Sequence, residues 1–193
     1  MQHPCFFGFG SLVNTATHAY PNPRRAEVQG WRRLWRHTGL RKAAFLSVAP
    51  APETRLQGVI AEVPGNDWAA LDLREYAYDR HRISSDQVAM KGQPPDDVQI
   101  YATKPEISTA PDDKHPILLS YLDVVVQGYL REFGRDGVRA FFETTDGWDA
   151  PVLDDRIAPI YSRALPLDPA ERAIVDFELG RLSPVIQHRE HAG

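Results

Sequence analysis

The sequence predicts an α+β domain, because segments with strand character fill its first half and segments with helix character fill its second. The chain has 193 residues, which suits one domain, and we find neither an internal repeat nor a clear domain boundary. We therefore expect a single domain over 1–193, with a core at 4–133, a helical and loop extension at 134–187 and a frayed tail at 188–193.

Strands are expected where short apolar or alternating segments end at glycine, proline or polar turns. These segments are 5–9, 26–36, 43–49, 56–63, 81–88 and 98–103. After Pro64 and Gly65 the spacing becomes helical, and Asn66 is a suitable cap. The sequence therefore predicts a helix that continues to about Tyr76.

Helices dominate the second half. Residues 117–133 carry apolar side chains around more than half of the helix circumference, which predicts a central, buried helix. A shorter helix is predicted at 136–145. A third is predicted at 169–182, with a proline in its first turn.

Composition excludes several classes of protein. The 26 acidic residues outnumber the 22 Lys and Arg residues, and the net charge of −4 argues against nucleic acid as the main partner. A single cysteine, Cys5, excludes an internal disulfide and a cysteine-based zinc cluster. No apolar segment approaches the ~20 residues that span a bilayer, and the first residues lack the features of a secretory signal. We expect a cytoplasmic protein with no membrane partner.

The segment Gly8-Phe9-Gly10-Ser11-Leu12, here called the glycine loop, is the first candidate site. Its glycines allow a sharp turn and close approach of a ligand, and successive N–H groups there can bind an anion or a carbonyl oxygen. An ordinary glycine turn after a buried strand is the alternative. The segment lacks the third glycine of a dinucleotide-binding loop and the frame of a G-x-S-x-G elbow.

Glu75 is the second candidate. On the predicted helix, Trp68, Leu71 and Glu75 share one face, and the two apolar residues make that face the buried one. Burial raises the pKa of a carboxyl group, which suits general acid–base catalysis near neutral pH. A buried ion pair with Arg80 or Arg82 is one alternative, and an exposed glutamate, if the helix is rotated from the expected phase, is the other.

Basic residues are concentrated between Arg24 and Lys42, where seven of them face a single acid, Glu27. Trp31 and Trp35 lie among them, and basic residues with aromatic ones can bind nucleic acid. The negative net charge and the alternation of the segment favour a solvated outer face of a strand. Part of this charge can instead attract an anionic small substrate.

We expect no metal, cofactor or cysteine nucleophile. The seven histidines are scattered along the chain, and no zinc or calcium motif is present. Cys5 lies in an apolar segment, where a thiol is usually inert.

Taken in order, several segments resemble the γ-glutamylcyclotransferase-like superfamily, which includes the ChaC and AIG2-like proteins. The segment from Leu71 to Arg80 is similar to the family's L-D-x-x-E-x-x-Y-x-R motif, with Glu75 at its acidic position. Phe9 departs from the family, which usually has Tyr there. The other matching segments are Phe7 to Leu12 for the first strand and Gly-Ser loop, Val28-Gln29-Gly30-Trp31 for the second strand, 57–63 for the strand before the helix, and Ser120-Tyr121-Leu122 for the S-x-Y-L helix, so that the resemblance covers roughly 4–130.

The resemblance implies a compact mixed β-barrel with flanking helices and a cavity at one end. It also implies release of 5-oxoproline from a small γ-glutamyl substrate, with Glu75 as general acid/base and without a metal or cofactor. Glutathione, a γ-glutamyl amino acid and a γ-glutamyl amine all fit as substrates. The residues that match substrate-binding positions of the family are Phe9, Gly10, Ser11, Leu12, Tyr101 and Tyr121.

Two other functions remain open at this point. A non-catalytic module on the same fold would bind a small acidic metabolite, since a fold alone does not confer activity. An amide hydrolase acting on another small substrate is the third possibility. Glu75 favours an enzyme over the binding module.

The loop at 143–163 lies outside the resemblance. Its aromatic and apolar residues argue against disorder, so we expect it to pack on the domain. Asp154 or Asp155 is expected to pair with Arg156 or another arginine. The loop is expected either to border the cavity or simply to cover the core, and in the first case Trp148 is expected to affect selectivity among substrates.

Overall fold

The computed structural model describes residues 3–182 and 184–188, and a long hairpin organises its main sheet. The hairpin consists of β2 (Arg24–Thr38) and β3 (Phe45–Glu62), which pair antiparallel. The sheet curls into a half-barrel, which agrees with the predicted α+β barrel-like fold. Its strand order is β4-β6-β1-β3-β2-β5, with β1 at Cys5–Gly8, β4 at Tyr78–Ile83, β5 at Val88–Met90 and β6 at Val98–Thr103.

The two strands expected at 43–49 and 56–63 are one strand, β3. Its pairing with β2 continues on both sides of Pro50 and Pro52, which local sequence reasoning treats as breaks. The register shifts opposite Gln29 and Gly30, and Gly30 has a φ of 96°, a conformation that favours glycine. A bulge therefore absorbs the irregular residues while the hairpin continues.

Several shorter strands complete the fold. The strand expected at 81–88 is divided, because a 3-10 turn at Ser85–Gln87 separates β4 from β5. Two short strands, β7 (Ser108–Thr109) and β9 (Thr145–Asp146), pair with β2. Three further strands form a small parallel sheet: β8 (Ile117–Leu118), β10 (Val152–Asp154) and β11 (Ile186–His188). Of the tail expected at 188–193, His188 ends β11, and 189–193 lie outside the described residues.

The helices are α1 (Trp68–Arg74), α2 (Leu119–Glu143) and α3 (Pro169–Leu182). As predicted, the first part of α2 is buried in the core. The helices expected at 117–133 and 136–145 are both parts of α2, which Gly134 interrupts with a φ of 70°. Among the described helices, none combines the length and apolar character that a membrane crossing requires.

A distant carboxylate caps the start of α2. Asp155 is buried and accepts hydrogen bonds from the backbone N–H of Ser120 at 2.8 Å and from its hydroxyl at 2.6 Å. The same carboxylate accepts from the N–H of Ile160 at 2.8 Å. A carboxylate stabilises a helix N-terminus because the first N–H groups have no partner within the helix. Asp155 thereby ties the 143–163 loop to α2.

Among the described residues, neither Asp154 nor Asp155 forms the expected ion pair with an arginine. Arg156 pairs instead with Asp123 on α2, at 2.6 Å, and with Asp176 on α3, at 2.6 Å. Asp154 accepts the backbone N–H of Arg156 at 3.2 Å. The guanidinium therefore joins two helices through the loop, as a long side chain can do where two carboxylates flank it.

Trp148 covers the core. Its ring stacks on Phe142 at a centroid distance of 4.8 Å and meets Trp35 edge to face at 5.4 Å. Its indole N–H donates to the Phe142 carbonyl oxygen at 3.1 Å. Trp148 itself therefore packs on the core, whereas Tyr161 and Arg163 of the same loop line the cavity described below.

Candidate functional site

One cavity, which opens partly to solvent, lies between the end of β1, the end of α1 and the first turns of α2. All the residues predicted for the site line it: Glu75, Phe9, Gly10, Ser11, Leu12, Tyr101 and Tyr121. The structure therefore brings together side chains and backbone from positions 9 to 121 of the sequence. Their roles remain predictions.

The glycine loop forms one wall of the cavity. Residues Ser11–Val13 form a 3-10 turn, and the N–H of Val13 donates to the Gly10 carbonyl oxygen at 3.0 Å. The N–H groups of Ser11 and Leu12 begin this turn, so they have no partner within it. This geometry suits the binding of a carbonyl oxygen or an anion.

Close packing requires the glycine at position 10. Its φ is −118°, which other residues also adopt, so a positive φ is not the reason. A Cβ built on Gly10 would lie 2.9 Å from the Tyr121 hydroxyl oxygen. The loop and α2 are in contact here because neither a side chain nor its hydrogens intervene.

A buried arginine is linked to the glycine loop through a tyrosine. Arg33 is 1% exposed, and its Nη1 donates to the Tyr129 hydroxyl at 2.6 Å. That hydroxyl lies 2.9 Å from the Phe9 carbonyl oxygen and 2.7 Å from the Gln57 carbonyl oxygen, and its single proton can bond to either. The expectation of a solvated face for the basic segment is therefore wrong at Arg33, whose burial lowers its pKa.

Glu75 lies one residue beyond α1, at its C-cap, with a φ of −102°. Its N–H donates to the Leu71 carbonyl oxygen at 2.9 Å, which keeps it close to the helical position expected for it. Trp68 is also half-buried: it packs against the apolar cluster that contains Leu71, and its ring lies 4.5 Å from the Arg80 guanidinium carbon. Of the three residues expected on one buried face, Leu71 is fully buried, and Trp68 and Glu75 are half-buried.

The Glu75 carboxylate is a shielded acid among arginines. Its side chain is 17% exposed, and Oε1 lies 3.2 Å from Nε of Arg74. Burial raises the pKa of Glu75, and the positive charges of Arg74, Arg41 and Arg163 partly oppose this rise. A carboxyl group in this environment can take up and return a proton closer to neutral pH than an exposed one.

The ion pairs considered as alternatives for Glu75 do not form. Arg80 pairs with Asp72 at 2.9 Å, and Arg82 donates to the backbone oxygen of Asp96 at 3.1 Å. The partner of Glu75 is its neighbour in sequence, Arg74.

Tyrosines line the cavity on both sides of Glu75. Tyr78 donates to the Leu46 carbonyl oxygen at 2.9 Å, and Tyr101 donates to Oδ1 of Asp72 at 2.6 Å. Burial, above all, raises the pKa values of Tyr78, Tyr101 and Tyr121. These phenols therefore remain neutral near pH 7, and Glu75 is the one carboxylic acid among the described residues that line the cavity.

Several lining residues are outside the predicted site, among them Arg41, Tyr161 and Arg163. The Tyr161 ring meets Tyr121 edge to face at 5.0 Å, so the 143–163 loop reaches the cavity through its last residues rather than through Trp148. Only Arg41 had a signal in the sequence, since it belongs to the basic segment that was considered for anion attraction. Nothing local distinguishes Arg163 from other loop arginines.

A second cluster contains His37, Asp112 and His115, with potential ligand atoms all within 4.8 Å of one another. Sequence spacing did not reveal it, because β7 brings residue 109 beside residue 37. The two imidazoles stack with an interplanar angle of 2° and a centroid distance of 3.9 Å. A ligand bond of histidine lies in the plane of its ring, so a shared metal would require one ring to turn.

Cys5 has no part in the cavity chemistry. Its side chain is buried in β1, and its thiol donates to the His3 carbonyl oxygen at 3.4 Å. Burial raises the pKa of Cys5 to about 11, so the thiol stays protonated at neutral pH.

Comparison with known proteins supports the fold. No protein-family model matches the sequence, and curated proteins give no match. A solved gamma-glutamyl cyclotransferase is similar over 91% of this chain and 99% of its own, with 11% identity and a TM-score of 0.58. Protein loc79017 from Homo sapiens gives the same coverage at 12% identity and a TM-score of 0.57.

YkqA from Bacillus subtilis is similar over 76% of this chain and 57% of its own, with 17% identity and a TM-score of 0.54. At such identities the similarity concerns the fold of the backbone alone. The chain thus has the γ-glutamyl cyclotransferase-like α+β fold.

Proposed function

We propose that this chain is a γ-glutamyl cyclotransferase-type enzyme that releases 5-oxoproline from a small γ-glutamyl compound. The observation that carries the proposal is a shielded carboxylate, Glu75, in the same cavity as the N–H groups that begin the Ser11–Val13 turn. The fold shared with a solved gamma-glutamyl cyclotransferase supports it.

The reaction requires one proton carrier. The α-amine nitrogen of the substrate attacks its own γ-carbonyl carbon, so the C–N bond of a five-membered ring forms. Glu75 takes the proton that the amine loses and gives it to the leaving nitrogen as the original amide C–N bond breaks. Because the attack is intramolecular, the enzyme chiefly holds the reactive conformer, and no water is consumed.

The glycine loop stabilises the negative charge that develops on the γ-carbonyl oxygen. The N–H groups of Ser11 and Leu12 are fixed donors, and such donors act strongly where water is excluded. Arg33 and Tyr129 hold the Phe9 carbonyl in place, so the following N–H groups keep their direction.

Glu75 disfavours the binding-module alternative. A site that only binds a small metabolite has no need of a carboxyl group that exchanges a proton near neutral pH. An acid–base enzyme, in contrast, needs such a group with a raised pKa.

The product identifies the reaction. We expect wild-type protein, incubated with a panel of γ-glutamyl compounds in H₂¹⁸O, to release 5-oxoproline and free amine in equal amounts, without ¹⁸O in the product. Mass spectrometry measures both, and protein-free incubations correct for spontaneous cyclisation. Release of ¹⁸O-labelled glutamate would establish a hydrolase, and release of neither product from any compound would contradict the proposal.

The pH dependence of kcat/KM follows from the Glu75 pKa. Glu75 must be ionised to accept the amine proton, so activity is lost as the pH falls through its pKa. Because burial raises this pKa, we expect the acidic limb above the ordinary glutamate value of about 4.3. Initial rates between about pH 4 and 9 test this, with circular dichroism at each pH to confirm folding. A limb centred near 4.3 would contradict the assignment.

A further inference from the structure

A groove continues from the cavity towards solvent, and its charge is entirely positive. The two share Arg41, Phe45, Arg74, Tyr161 and Arg163 as lining residues. Lys42 adds a further cation to the groove, and no aspartate or glutamate lines it among the described residues. A ligand that reaches from the cavity into this groove passes between cations.

Two guanidinium donors at this junction lack partners. Nε of Arg41 and Nη2 of Arg74 are buried, and neither has a hydrogen-bond partner in the described part of the chain. Buried donors are almost always satisfied, so an unpaired pair lining one cavity indicates that a ligand supplies the acceptor. Carboxylate oxygens suit them best, because both bonds are then charge-assisted.

The neighbouring contacts of Arg41 are neutral. Its guanidinium lies over the rings of Phe45 at 4.8 Å and Tyr76 at 4.9 Å, and it donates to the Arg74 carbonyl oxygen at 3.1 Å. Within 3–182 and 184–188, neither Arg41 nor Arg163 forms a direct ion pair. Two of the three arginines near Glu75 thus have no direct anionic partner among the described residues.

The charges exceed what one carboxylate can balance. A γ-glutamyl group carries a single α-carboxylate, and Glu75 already faces Arg74. A second carboxylate, on the leaving amine, would bring the number of carboxylates to three, which equals the number of arginines that line both the cavity and the groove. The groove also contains the exposed side chains of Leu73 and Ile160, which suit the aliphatic part of an organic acid.

We propose that Arg41 and Arg163 form a second carboxylate-binding subsite, which selects leaving amines that carry a carboxylate. The preferred substrates are then γ-glutamyl amino acids or peptides, not γ-glutamyl amines. This inference rests on the proposed function, since it assigns the groove to the leaving group of that reaction.

The test compares two substrates that differ by the carboxylate alone, γ-glutamyl-alanine and γ-glutamyl-ethylamide. We expect wild-type kcat/KM to be at least about tenfold higher for γ-glutamyl-alanine, the value of one charge-assisted hydrogen bond. Arg163→Gln should bring this ratio towards one. Arg163 is exposed, so its loss leaves the core intact. Arg135→Gln, an exposed arginine of α2 outside both cavities, should keep the wild-type ratio.

The outcomes separate the subsite from the reaction. Release of 5-oxoproline from both substrates, with a ratio near one that Arg163→Gln does not change, would overturn the subsite and leave the cyclotransferase standing. Absence of 5-oxoproline from both would instead count against the reaction. Calorimetry on Glu75→Gln then tests the subsite alone: γ-glutamyl-alanine should bind about tenfold more tightly than the ethylamide, and equal binding would overturn it.

Discussion

Glu75→Gln is expected to lower kcat for 5-oxoproline release by at least 10²-fold and by as much as about 10⁴-fold, the usual contribution of a general acid–base group. Glutamine has nearly the same shape as glutamate but cannot accept the α-amine proton. The side chain is 17% exposed and lies 3.2 Å from Arg74, so the amide can occupy the same space. Single-turnover and steady-state rates on a confirmed substrate measure the loss.

A matched change elsewhere isolates the carboxylate. Glu106→Gln replaces an exposed glutamate outside the cavity and should retain wild-type kcat. Circular dichroism and the melting temperature establish that Glu75→Gln is folded. Wild-type turnover by a folded Glu75→Gln protein would remove Glu75 from the mechanism.

The fold was predictable where local signals agree with the tertiary structure. The strand β6 and the helix α3 have the predicted bounds, since strong propensities at 98–103 and 169–182 meet no competing contact. β3 was not predictable as one strand. Pairing with β2 continues through a bulge at Pro50 and Pro52, and only the partner strand makes that continuation visible.

The part of the candidate site that carries recognisable motifs was predictable from the sequence. The glycine loop and Glu75 belong to short segments whose residues suffice to indicate their chemistry. Arg163 carries no such signal, because its place depends on the chain that precedes it. Asp155 caps α2 from 35 residues away in sequence and bonds the N–H of Ile160, and this fold of the loop directs 161–163 to the cavity.

The electrostatics of the site also depend on tertiary contacts. The sequence predicts that burial on a helix face raises the pKa of Glu75, and the structure gives a shift in the same direction. The sequence alone does not show that the charge of Arg41 acts on Glu75, because Arg41 lies in a basic segment that is expected to be solvated. The hairpin brings Arg41 against the end of α1, where it donates to the Arg74 carbonyl oxygen.

Gly10→Val is expected to reduce kcat/KM by about 10²-fold or more, whereas Ser11→Ala should cost less than about tenfold. A Cβ at position 10 would lie 2.9 Å from the Tyr121 hydroxyl oxygen, so valine must push the loop or Tyr121 away and misdirect the N–H groups. Ser11→Ala keeps its backbone N–H and loses only a hydroxyl. Rates with γ-glutamyl substrate, alongside melting temperatures of both variants and of the smaller Gly10→Ala, separate misplacement from unfolding. Complete loss of activity in folded Ser11→Ala would transfer the role of the loop from its backbone to the serine hydroxyl.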